Sequence, residues 1–152
     1  MYPKEEKKIL REAFWNSFKV YSNKRKIREG KPGKWIMNQT GIKGLSLKFH
    51  FDENYAWAGY EISSSSLDKQ INLFDKLEKL KTILEKSVPV DLEWELETQI
   101  DNNVKVSRVG ARKENVNIYN KQHWKAVNLF LYSVMVPIEG VFRDYYDFIK
   151  YQ

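Results

Sequence analysis

The sequence predicts an α+β domain: a mostly antiparallel five-stranded sheet with three helices, in the order α-β-β-β-α-β-β-α. Three observations carry this. The stretch "LSLKFHFDENYAWAGYEIS" alternates apolar and polar residues on either side of a polar turn, and "VPVDLEWELET" with "VKVSRVG" does the same around "DNN". That is the pattern of hairpins with one buried face and one wetted face. Longer segments repeat apolar residues every third or fourth position, as a helix with one buried face requires. No linker or internal repeat divides the chain, so residues 1–152 read as a single domain.

The first helix is expected from about Lys4 to Asn23, with Ile9, Leu10, Ala13, Phe14, Ser17, Phe18 and Tyr21 on one stripe. A basic loop, "NKRKIREGKPGK", follows, broken by Gly30, Pro32 and Gly33. "KWIMNQTG" reads as a first strand ending at Gly41. "LSLKFHF" places Leu45, Leu47, Phe49 and Phe51 on one face. After the Asp52–Asn54 turn, Ala56, Ala58, Tyr60 and Ile62 share a face opposite Tyr55, Trp57, Gly59 and Glu61. Ser63 to Ser66 read as a strand exit and helix cap, with Ser65 and Asp68 in capping-box spacing, rather than as a phosphate loop. The second helix runs from Leu67 to about Lys86. Pro89 marks entry to the next strand, where Glu93, Glu95 and Glu97 form a solvated face within reach of Lys105 on the partner strand. A polar stretch, Ala111 to Asn120, precedes a long last helix from about Lys121 to Tyr151, which Pro137 is expected to kink or divide.

Composition narrows the function classes. Hydrophobic residues are 42% and charged residues 30%, a mix that buries a core without staples. With no Cys, disulfides, thiolate metal sites and cysteine nucleophiles are excluded. The N-terminus has no apolar signal-like core and no eighteen consecutive residues are apolar, so no membrane partner and a cytoplasmic location are expected. The five Trp lie in five different segments, which suits a shared core better than one aromatic cage. A net charge of +6 admits an anionic partner without demanding one.

The residues "FW" (Phe14, Trp15), "AGYEIS", "DLEWEL", Arg108 and "HW" (His123, Trp124) cover nearly the whole chain. In them the sequence resembles an uncharacterised bacterial domain-of-unknown-function family, found alone or C-terminal to restriction-endonuclease-like domains. The resemblance implies a bacterial cytoplasmic protein, an antiparallel sheet flanked by helices, and a DNA-related setting by association. It implies no activity and no catalytic residues.

The element order also resembles the core of the PD-(D/E)xK nucleases, whose chemistry needs an Asp and a Glu on one metal beside a Lys. Here Asp52 sits at a hairpin tip and Glu61 near the far end of its strand, about 25 Å away at the rise of an extended chain. Ser63 stands where the Lys would be. The hairpin is therefore expected to be scaffold, with a divergent and inactive nuclease-like fold as an alternative. His50 and His123 lack any triad spacing and read as surface or capping residues, and "GKPGKW" lacks the ending of a phosphate-binding loop. No catalytic, metal or cofactor site is expected.

The strongest functional candidate is the basic segment. Lys19, Lys24, Arg25, Lys26, Arg28, Lys31 and Lys34 fall within sixteen residues and only Glu29 opposes them, with Tyr21 and Trp35 alongside. Cations on a loop contact phosphates without reading sequence, and flanking aromatics stack on unpaired bases. The expected role is a non-enzymatic accessory module binding DNA or RNA through Lys24, Arg25, Lys26, Arg28, Lys31, Lys34 and Trp35. Lys105, Arg108, Arg112 and Lys113 form a second cluster that would extend the surface if the sheet brings the two together. The alternative is a protein-interaction module or homodimer using a sheet edge or the last helix.

Overall fold

A computed structural model describes residues 3–100 and 103–151. The long helix α1 (Lys4–Glu29) leads to the hairpin β1 (Leu45–Phe51) and β2 (Tyr55–Ile62). Two consecutive helices follow, α2 (Leu67–Lys79) and α3 (Lys81–Ser87). Next come β3 (Glu93–Ile100), β4 (Val104–Glu114), a 3-10 turn (Lys121–His123), α4 (Trp124–Asp144) and α5 (Tyr146–Tyr151). The class is α+β as expected, but among the described residues there are four strands and five helices, not five and three.

The missing strand is "KWIMNQTG". Met37 takes a left-handed φ of 49°, which no extended strand tolerates, and Gln39 N–H closes a turn on the Ile36 carbonyl at 2.9 Å. Ile36 N–H donates not to a strand but to the buried Glu139 carboxylate at 2.6 Å. The extra helices come from interruptions. Leu80 (φ −97°, ψ 9°) separates α2 from α3, and Tyr145 separates α4 from α5. Pro137 does not divide α4. It forfeits one N–H, but Val134, Met135, Ile138 and Val141 around it are all buried, so packing holds the helix through it.

Helix α1 continues past Asn23 to Glu29, because Lys, Arg, Ile and Glu are acceptable helix residues. It stops where Gly30 adopts φ 68° and the Lys31 N–H reaches back to the Lys26 carbonyl at 2.8 Å. The cap of α2 is Ser66, whose hydroxyl accepts from Lys69 N–H, one residue later than expected. Strand β4 extends to Glu114, so the first four of the ten residues expected as a polar stretch are strand. Of the second hairpin's expected "DNN" turn, Asp101 and Asn102 lie outside the described residues.

All neighbouring strands are antiparallel, in the order β1-β2-β4-β3. The inner face carries Leu45, Leu47 and Phe51, then Ala56, Ala58, Tyr60 and Ile62, then Val109 and Ala111. Helices α1, α2 and α4 cover it with Phe14, Phe18, Phe74, Leu77, Val127, Leu131 and Met135. Helix α4 is the central one: the buried Tyr60 hydroxyl donates to the Ile138 carbonyl at 2.6 Å, and burial pushes that phenol's pKa up. By length and composition alone Lys121–Asp144 is apolar enough to cross a membrane, but half of its most apolar window is buried among the other elements.

Among the described residues no helix covers the outer face of the sheet, yet Trp57, Val106 and Glu61 on it are buried. Trp57 lies across the paired Gly59 and Gly110. A Cβ on Gly110 would sit 2.5 Å from Trp57 Cζ2 and run into the Ala58 carbonyl oxygen, so only glycine leaves room for the indole. Arg108 covers the ring from 4.7 Å.

Candidate functional site

The basic segment divides in two once α1 is continued through it. Phe14, Phe18, Ser22 and Lys26 recur every fourth residue and form the buried stripe of the helix. Lys26 is therefore not a surface cation: its residue is 1% exposed and its Nζ lies 3.3 Å from the Trp35 ring centroid. No hydrogen-bond acceptor meets that Nζ among the described residues. Burial lowers its pKa, against the opposing pull of Glu139. Arg25 is occupied as well. It pairs with Glu29 at 2.9 Å, donates to the Tyr21 hydroxyl and lies 4.4 Å over the Tyr132 ring. Glu29 in turn accepts from the Tyr132 hydroxyl at 2.8 Å, and burial together with that bond pushes the phenol up to about 12.

Four of the six expected cations remain. Lys24, Arg28, Lys31 and Lys34 are exposed, and none is in an ion pair among the described residues. The same holds for Lys19. Trp35 is part core and part surface, stacked parallel to Phe18 and edge-on to Phe49 and Tyr132. Beside Trp35 lies an open cleft of about 830 Å³ between the last turns of α1 and the loop to Met37, and of these cations only Lys19 and Lys34 line it. Phe18, Trp35, Met37 and Phe49 form its apolar wall, Ile27 and Gly33 its mouth, and Lys19 and Lys34 its charged border. The volume is within the range of small-ligand sites. The cleft lies against the segment that the sequence singles out, but the sequence does not show it, because Phe49 and Met37 join it only when β1 folds against α1.

The second basic cluster does not extend this surface. Arg108 donates twice to Glu61 Oε1, at 3.1 and 3.0 Å, and Lys48 takes the other carboxylate oxygen. Arg112 pairs with Glu93 and Glu114 and lies 4.1 Å over Tyr55. Burial lowers the Arg112 pKa, but the Glu93 bond and neighbouring charges outweigh it and leave it raised. Lys105 pairs with Glu97 at 3.0 Å, as its place opposite the acidic strand suggests. Three of these four cations are thus neutralised, Arg108 and Arg112 on the outer face and Lys105 beside Leu67 and Gln70 of α2.

The hairpin acids do not converge. Asp52 follows Phe51 at the tip and Glu61 pairs with Ser46 at the other end, about 20 Å apart along the strands. Asp52 accepts from His50 and from the Asn54 and Tyr55 N–H groups. Burial raises its pKa, but these bonds win and hold it low. No group of three His, Asp or Glu among the described residues is arranged to hold a metal. His123 caps no helix with its side chain; its Nδ1 accepts from Asn117 N–H at 2.9 Å and ties down the loop before α4.

The molecule is thus a one-sheet α+β domain with an aromatic cleft bordered by free cations. Residues 10–146 match a family described as a domain of unknown function, DUF4268, and the chain belongs to that family. No curated protein and no solved structure matches the chain.

Proposed function

We propose that the domain is a non-enzymatic nucleic-acid-binding module that contacts phosphates with Lys19, Lys24, Arg28, Lys31 and Lys34. The observation that carries this reading is an aromatic cleft bordered by Lys19 and Lys34, in a segment whose Lys24, Arg28 and Lys31 are also exposed and, among the described residues, in no ion pair. Exposed ammonium and guanidinium groups release counterions from a polyanion when they bind it, so such a surface binds without reading sequence. Arg25 and Lys26 leave the contact set, since one is ion-paired and the other buried. The implied company of restriction-endonuclease-like domains supports the same reading by association.

Fluorescence anisotropy of labelled DNA and RNA oligonucleotides, titrated at several salt concentrations, tests it. Changing Lys24, Arg28, Lys31 and Lys34 together to Gln should weaken binding and flatten the salt dependence by about 0.7 to 0.9 in logarithmic slope per lost phosphate contact. Changing Arg25 to Gln should leave the slope alone. Binding that survives the fourfold change sinks the proposal. A second reading, self-association through a sheet edge, is favoured by the exposed Leu96 and Val104 on the edge hairpin β3–β4. Light scattering tests it: a mass that stays monomeric with rising concentration argues against it.

A further inference from the structure

We infer that the cleft between α1 and the Gly30–Met37 loop takes an unpaired base, so that the protein selects single-stranded over double-stranded nucleic acid. This inference rests on the reading above and names the ligand class for the same site. Two of the free cations, Lys19 and Lys34, do not stand on a flat surface, as a module gripping only a duplex backbone would present them. They border a recess whose wall is Phe18, Trp35, Met37 and Phe49. A duplex keeps its bases stacked inside and offers such a recess nothing to bury. A single strand offers a π-face with each phosphate, and base–aromatic stacking is sequence-tolerant.

Two further observations point to an electron-rich occupant. The Trp35 indole N–H and the Lys26 ammonium are both buried with no acceptor among the described residues, and they lie together behind the cleft wall. Lys26 does not itself line the cleft; its ammonium is packed on the Trp35 ring, 3.3 Å from the centroid, behind the apolar wall. The border cations Lys19 and Lys34 lie at the mouth, where the phosphates flanking an inserted base would run. An acidic peptide would satisfy the border but leave the aromatic wall unfilled.

The experiment compares three labelled probes: a thymine single strand of about twelve nucleotides, within the span of single-strand sites, its duplex, and an abasic strand of equal charge. The variant is Gly33→Leu, because Gly33 lines the cleft, a Cβ there meets nothing within 4 Å and the backbone is not left-handed. The wild type should hold the thymine strand roughly five-fold to a hundred-fold tighter than the abasic strand, the range of one stacked base. Gly33→Leu should erase that preference and leave abasic binding unchanged. If the wild type binds all three probes alike, or a polyglutamate peptide of equal charge competes as well as the thymine strand, this inference is overturned and phosphate binding stands. If it binds none, the proposed function fails and takes this inference with it.

Discussion

Replacing Arg108 by Met removes one half of a charge pair that the fold has buried without a helix to cover it. The Glu61 and Arg108 side chains are 3% and 12% exposed. Removing one partner of a buried pair leaves the other charge desolvated and costs about 3–5 kcal/mol. Lys48 still holds the second Glu61 oxygen, but it is half exposed and softens the loss. Loss of the guanidinium from the Trp57 face adds about 0.5–1 kcal/mol. The two adjustments roughly cancel, so Arg108→Met should destabilise the fold by about 3 kcal/mol. The double variant Glu61→Leu/Arg108→Met removes both charges and should return to within about 1 kcal/mol of the wild type. Urea titration followed by tryptophan fluorescence measures this, with equal m-values confirming a common unfolded state. A single variant less than about 1 kcal/mol below wild type would refute the reasoning, since ordinary surface changes cost that little. So would a double variant weaker than either single one, because the two side chains would then not be coupled.

Lys26→Met tests the buried ammonium. Its pKa is lowered on folding, so between the folded and unfolded values the unfolded chain holds a proton that the folded one lacks. This group's contribution to stability therefore rises as pH climbs through that window. The variant should be neutral to about 2 kcal/mol more stable at pH 7 and lose its advantage toward alkaline pH, read as Tm against pH. A variant markedly less stable at pH 7 would mean that the Trp35 and Glu139 attractions outweigh burial. Gly110→Ala should cost about 1–3 kcal/mol by driving Trp57 and the Ala58 carbonyl apart, whereas Gly33→Ala, with open space around it, should be neutral or slightly stabilising by thermal melts. Equal effects at the two glycines would contradict the packing described for Trp57.

Much of the fold is legible because alternation and helical spacing are local signals. Leu47, Phe49, Tyr60 and Ile62 occupy the face their period assigns. What is not legible depends on single residues or distant partners. Asn23 looks like a helix stop, but the helix ends at the left-handed Gly30, and those two extra turns carry Lys26 from an apparent loop into the core. "KWIMNQTG" has strand-like composition, but Met37 turns the chain and Glu139, far away in sequence, claims the Ile36 N–H. Trp57 alternates to the wetted face as expected, yet it is buried there, because two glycines on adjacent strands open a slot that no single-strand pattern reveals. The cleft is illegible for the same reason: its wall is assembled from α1, the loop and β1.

The strand order has a consequence for the order in which the chain can assemble. Strand β4 is the last made and lies between β2 and β3, pairing with both. Until Glu114 has emerged during synthesis, β2 has an open edge and β3 has no neighbour. Until α4 follows, with Ile138 and Leu131, the inner face of the first hairpin has lost its main cover. The nascent protein must therefore carry an unpaired, partly apolar sheet edge from the completion of β2 at Ile62 until β4 is made through Glu114, the state in which chains aggregate and recruit chaperones. A truncation before β4 should be insoluble rather than merely less stable.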